Sequence, residues 1–181
     1  VNLVSHEPGV SGDPFGHGTH IAGLIGGSSA SAARVTASYL GGPAPGVPFA
    51  DVRVLGSNGA GYTSDVIAGI DWVIANARRY NLRVINLSLG HPVFESYRTD
   101  PMWQALRKAH DSGILVVVAA GNDGGVGSGF GTITSPGNEP TALTVTRMST
   151  TSAGLLRKAM PRPAVSRMGK RNTQKIASGS R

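Results

Sequence analysis

Between Phe49 and Val145 the chain alternates short apolar runs with longer stretches of helical period, and this alternation constrains the fold more than any other feature. Phe49 to Leu55 is alternating and β-branched, as a strand requires. A turn follows at Ser57-Asn58-Gly59-Ala60-Gly61. Thr63 or Ser64 then offers a capping oxygen to a helix reaching about Tyr80, with Val66, Ile67, Ile70, Val73, Ile74 and Ala77 on its inner face. Arg83 to Leu89 reads as a second strand closing on Gly90. Thr99-Asp100-Pro101 is a strong helix start, and Gly113 a natural stop. Ile114 to Ala119 is the most buried-looking strand, and Ala142 to Val145 begins another. Strands alternating with helices of this length imply βαβ units, hence an α/β fold with a doubly wound parallel sheet. Ligands of such sheets bind at the carboxyl ends of the strands, where Ser88-Leu89-Gly90 and Ala120-Gly121-Asn122 fall.

Upstream of this lies Gly16-His17-Gly18-Thr19-His20-Ile21-Ala22-Gly23. Glycines allow a backbone to approach another chain closely, and histidine is the usual general base near neutrality. The same residues also suit a glycine-rich turn entering a helix, with the histidine at its cap. A third reading makes His17 and His20 an i, i+3 metal pair, but no Glu lies between them and no third ligand suggests itself. Ile21, Leu24 and Ile25 follow at helical spacing and predict a buried helix face. Residues 27–47 are small, polar and rich in Gly and Pro, as in a loop.

Taken in chain order, Gly-His-Gly-Thr-His, Asn86-Leu87-Ser88-Leu89-Gly90 and Ala119-Ala120-Gly121-Asn122 resemble the subtilisin-like serine peptidases from about Asp13 to about Val145. The resemblance implies a subtilisin-like α/β fold and peptide-bond hydrolysis by a Ser-His-Asp triad. It makes His17 the base and Asn122 the donor to the oxyanion. It assigns pairing with an extended polypeptide substrate to Gly59-Ala60-Gly61 and Ser88-Leu89-Gly90, with Ala119-Ala120-Gly121 walling the specificity pocket. Leu89 at a strand end equally suits the core. A calcium ion often sits in the family's counterpart of 27–47. That loop holds no Asp, Asn or Glu, so no metal site is assigned and no cofactor is expected.

The sequence also departs from the family pattern. The family's nucleophile lies in Gly-Thr-Ser-Met-Ala, which occurs nowhere in the chain; Ser135, Ser149, Ser152, Ser166, Ser178 and Ser180 lack that context. The orienting carboxylate is expected some tens of residues before the histidine. Asp13 is too near and reads as part of the loop leading into the motif. The expectation is an incomplete peptidase domain, a piece of something longer, that is inactive as it stands. With few strands and no closing helix, apolar surface should stay exposed and solubility should be poor.

Composition completes the reading. There is no Cys, which excludes a disulfide framework, a thiol nucleophile and thiolate metal sites. No apolar run reaches the length of a membrane span, and the first residues do not form a signal-peptide pattern. Export of the parent protein is nonetheless what the family implies. The net charge of +7 is local. Nine of the 17 Lys and Arg lie from Arg147 onward, leaving eight against ten acids, or −2, in residues 1–145. The segment 146–181 holds no acid and no aromatic residue, so it reads as a disordered basic tail, or as a frame-shifted stretch given the abrupt loss of pattern inside a strand. Clustered Arg and Lys bind polyanions irrespective of sequence, whereas base stacking needs aromatics. A non-catalytic peptide-binding remnant with a polyanion-binding tail is therefore the alternative, with no specific nucleic acid implied.

Overall fold

The computed structural model describes residues 1–33, 36, 38–124 and 132–146. The expected tail therefore lies outside the described residues from Arg147 onward, as do Gly125–Gly131. Residues Val1–Thr146 form one compact unit. Its elements run α1 (His17–Gly26), α2 (Ser29–Ala32), α3 (Thr63–Tyr80), β1 (Val84–Leu87), α4 (Pro101–Asp111), β2 (Leu115–Ala119) and β3 (Leu143–Val145).

The three strands make a parallel sheet in the order β1-β2-β3, with Val84 opposite Leu115 and Val117 opposite Leu143. Parallel neighbours need crossovers, and α4 supplies the one between β1 and β2. It packs on β2 and on α3. Val66, Ile70 and Val73 of α3 meet Met102, Ala105, Leu106 and Ala109 of α4 over Ile85, Leu87, Val116 and Val118 of the sheet. Ile67, Ile74 and Ala77 complete the expected inner face of α3 as partly buried neighbours of this core.

Helix ends follow local chemistry. Asp100 caps α4 by accepting the Met102 N–H at 2.8 Å, with Pro101 at the first helical position. At α3 the cap differs from the expectation, because Tyr62 is the capping residue and Thr63 is already helical. Asp65 works from inside the first turn, where a carboxylate is favoured by the helix dipole. It accepts from the N–H and hydroxyl of Ser5, each at 3.1 Å, and so ties α3 to the N-terminal segment.

Two expectations are corrected, and a third is refined. Phe49–Leu55 is extended but joins no sheet ladder: Arg53 makes a single parallel bridge to Asn2, through Leu3 N–H to Arg53 C=O and Arg53 N–H to Val1 C=O, both 2.9 Å. With only that short segment beside it, the run lacks the repeated pairing that defines a strand, although Val52 and Val54 still pack on the core. The apolar face of α1 is not buried; no residue of the helix is, and Leu24 is half exposed. β2 is the most buried of the three strands, as expected, but its cover lies on one face. Val116 and Val118 are covered, whereas Leu115 is 48 % exposed, because both packed helices lie against the same face. Val84, Leu143 and Val145 share that open face. The loop 27–47 also contains the short helix α2.

Candidate active site

The His17 motif is set by the loop before it. Gly16 takes φ of 83°, a left-handed turn that glycine adopts freely, and His17 becomes the first residue of α1. Gly16 has no side chain to cap the helix. Asp13 does so from three residues upstream: one carboxylate oxygen accepts the Gly16 N–H at 2.9 Å and the other the Thr19 N–H at 2.7 Å. The Thr19 amide above all, with Gly16 and the nearby His17, holds the Asp13 carboxyl below its ordinary value against a smaller opposing effect of desolvation. Both oxygens are thereby committed to the backbone, and Asp13 serves the loop rather than the imidazole. Among the described residues no hydrogen bond reaches the His17 ring, whose residue is exposed.

His17 lines an open cleft of about 430 Å³. The same cleft is lined by Gly59, Ala60 and Gly61 and by Ser88, Leu89 and Gly90. The segment 88–90 leaves the carboxyl end of β1, where a parallel sheet exposes its ligand-binding edge. Ser88 Oγ accepts from Asn86 at 2.9 Å. Leu89 plays both parts open to it, lining the cleft and packing on the core. Phe15, Leu55, Tyr62, His91 and Met102 line it too, and sequence reasoning passed over all five. Phe15 covers the first residue of the 59–61 edge. Its ring lies over Gly59, whose φ is 78°, and a Cβ there would stand 2.7 Å from the ring.

The remaining predicted residues sit apart from this cleft. Ala119, Ala120, Gly121 and Asn122 end β2 and do not line it; Gly121 and Asn122 are exposed. What joins the two strand ends is a strap from the loop 132–139. Thr134 N–H donates to Ala120 C=O at 3.0 Å, and Ser135 exchanges backbone bonds with His91 at 2.8 and 3.0 Å. Gly121, at φ 97°, leaves space for Thr134, since a Cβ would lie 2.4 Å from its hydroxyl. At Gly90, too, an added Cβ would lie 2.8 Å from that hydroxyl. The Ser135 hydroxyl then donates to Asp100 at 2.7 Å, anchoring the strap to the start of α4.

Glu7, Arg53 and Ser57 form a second anchor, behind the 59–61 edge. The Ser57 backbone N–H and hydroxyl, with the Arg53 guanidinium, hold the Glu7 carboxyl at about 2. Among the described residues no group of three or more His, Asp or Glu comes together. The loop 27–47 supplies no carboxylate.

The parallel α/β sheet opens at the carboxyl end of β1 onto a histidine-bearing, glycine-edged cleft. The chain belongs to the subtilase family, whose sequence pattern matches residues 6–181. That match extends past Val145, where the motif-based resemblance ends. The chain is 38 % identical to subtilisin DY of Bacillus licheniformis over 133 residues, 71 % of this chain and 43 % of that protein. It is 43 % identical to the extracellular serine proteinase of Thermus sp. (strain Rt41A) over 115 residues, 64 % of this chain and 24 % of that one. Among solved structures it superposes on sphericase with a TM-score of 0.67 and 29 % identity, covering 81 % of this chain and 45 % of that one. A cold adapted subtilisin-like serine proteinase gives 0.61 and 35 %, with 82 % and 47 % covered. The chain thus spans less than half the length of these relatives.

Proposed function

We propose that these residues carry the base and the substrate-pairing edges of a serine endopeptidase that acts on extended polypeptides, exported in the parent protein. The observation that carries this reading is the single cleft lined by His17, Gly59–Gly61 and Ser88–Gly90. An extended peptide laid in it pairs its backbone with the two edges, which is tolerant of side-chain identity and gives broad specificity. His17 takes the proton of a serine hydroxyl and returns it to the leaving amine. Asn122, which lies outside the lining of that cleft, takes the oxyanion-donor role from the family resemblance, a contribution worth roughly 10²–10³ in turnover.

In this reading the nucleophile's Gly-Thr-Ser-Met-Ala stretch and the orienting carboxylate are missing from the chain, so the 181 residues bind peptide without turning it over. Hydrogen exchange of the chain with an unreactive decapeptide tests the binding part. Protection is expected in 59–61 and 88–90; none at either edge defeats it. A serine-directed fluorophosphonate tests the second part. No adduct is expected, and labelling of Ser88, which shares the cleft with His17, would overturn the claim that the nucleophile lies elsewhere.

A further inference from the structure

The 59–61 edge grows out of a tight turn whose bonds are mostly its own. Gly56 N–H donates to Ala60 C=O at 2.7 Å, Gly59 N–H to Gly56 C=O at 2.9 Å, and Ala60 N–H to the Asn58 side chain at 3.0 Å. These bonds shape the turn without fastening it to the body of the protein. Among the described residues, Ser57 makes every hydrogen bond that leaves the turn 56–60. Its N–H and its hydroxyl donate to the Glu7 carboxylate at 3.0 and 2.8 Å, and Arg53 donates to that hydroxyl at 3.4 Å.

Glu7 comes from a loop that is itself held. Asn2 donates to Glu7 C=O at 2.8 Å and to Val10 C=O at 2.9 Å, which closes residues 2–10. Val4 is buried, and Ser5 is tied to Asp65 of α3. Buried Arg53 pairs with the Glu7 carboxylate and donates to Val10 C=O at 3.2 Å. An ionised acceptor makes a stronger hydrogen bond than a neutral one. The turn lies directly against this loop, since a Cβ on Gly56 would stand 2.9 Å from His6 Nε2 and 3.1 Å from a Glu7 oxygen. Neither Glu7 nor Ser57 lines the cleft. We propose that Glu7 is a positioning residue for substrate: through Ser57 it holds the turn 56–60 so that Gly59–Gly61 is in place before an extended peptide arrives. This rests on the reading of the His17 cleft as a peptide-binding site. An edge ordered in advance loses less freedom on binding, so the effect falls on affinity.

The full chain carrying Glu7→Ala, Glu7→Gln or Ser57→Ala is compared with the parent by hydrogen exchange and by titration with the unreactive decapeptide. Without peptide, Glu7→Ala is expected to speed exchange at 56–60 roughly tenfold, the scale of a partly exposed bond to a charged group, while β1 and β2 stay within about twofold. Peptide affinity is expected to fall about 3- to 10-fold in Glu7→Ala, the scale of ordering a short segment on binding. Glu7→Gln should lose less, because its carbonyl still accepts the Ser57 N–H. Ser57→Ala should shift affinity the same way, and adding it to Glu7→Ala should cost less than about twofold more, its partner being gone already. A role in stability alone speeds exchange in β1 and β2 and leaves affinity unchanged, and that outcome overturns the proposal. So do strictly additive losses of affinity in the double variant. A parent that binds no peptide overturns the cleft reading and this proposal with it. A parent that binds, with variants that bind as tightly, overturns the positioning role alone. If Glu7→Ala loses its helical circular dichroism spectrum, Ser57→Ala, a change at an exposed residue, decides by whether its affinity falls.

Discussion

Replacing Asp100 by Ala should loosen two parts of the molecule at once. Its carboxylate is 7 % exposed and spends one oxygen on the Met102 N–H and the other on the Ser135 hydroxyl. Losing the cap costs about 1 kcal/mol, and leaving the Ser135 hydroxyl buried without a partner adds about 1–3 kcal/mol, for about 2–4 kcal/mol together. Hydrogen exchange read by mass spectrometry on dilute full chain localises the effect. Amides at the start of α4 and in the strap 132–137 should exchange roughly 30-fold faster or more, since each 1.4 kcal/mol is a factor of ten. Amides late in α3 should not move, because no bond of Asp100 reaches them. Ser135→Ala should act in the same two places by stranding an Asp100 oxygen. The double substitution strands neither group, so it should cost about 1–3 kcal/mol less than the sum of the singles. Exchange within about twofold of the parent, or strict additivity, would refute the idea that this one hydrogen bond ties the strap to α4.

Other outcomes follow from the same structure. Gly121→Ala forces a Cβ to 2.4 Å from the Thr134 hydroxyl at φ 97° and should release the strap from β2, seen as faster exchange at Thr134. The Glu7 carboxyl is lowered from 4.5 to about 2 on folding, so its link to Ser57 and Arg53 is in place above pH about 4.5 and is lost as pH falls towards 2. Limited acid proteolysis should accordingly open residues 1–10 only below pH about 4, and cleavage there at neutral pH would contradict it. The open sheet face of Val84, Leu115, Leu143 and Val145 should make the chain bind an apolar dye and aggregate. Leu115→Thr with Leu143→Thr should reduce both, and a monomeric parent that binds no dye would refute the exposure.

Periodicity placed α3, α4, β1 and β2 within a few residues, because the apolar spacing on each is dictated by the one face that must be buried. The Asp100-Pro101 start and the Gly113 stop were equally legible, since capping is decided by neighbouring residues alone. His17 and the two glycine-bearing edges were readable as motifs. What the sequence could not state is that one cleft gathers them, for that depends on α1 and on strand ends tens of residues apart. It also hid the partners that make the site. Asp13 reads as part of the loop before the motif, but its bonds to Gly16 and Thr19, which fix that loop, are visible only in the fold. Phe49–Leu55 has strand composition but became an isolated bridge, because pairing is a property of the neighbour as much as of the run. Ile21, Leu24 and β2 show the same limit: an apolar pattern says which face seeks cover, and only the packed helices decide which face receives it.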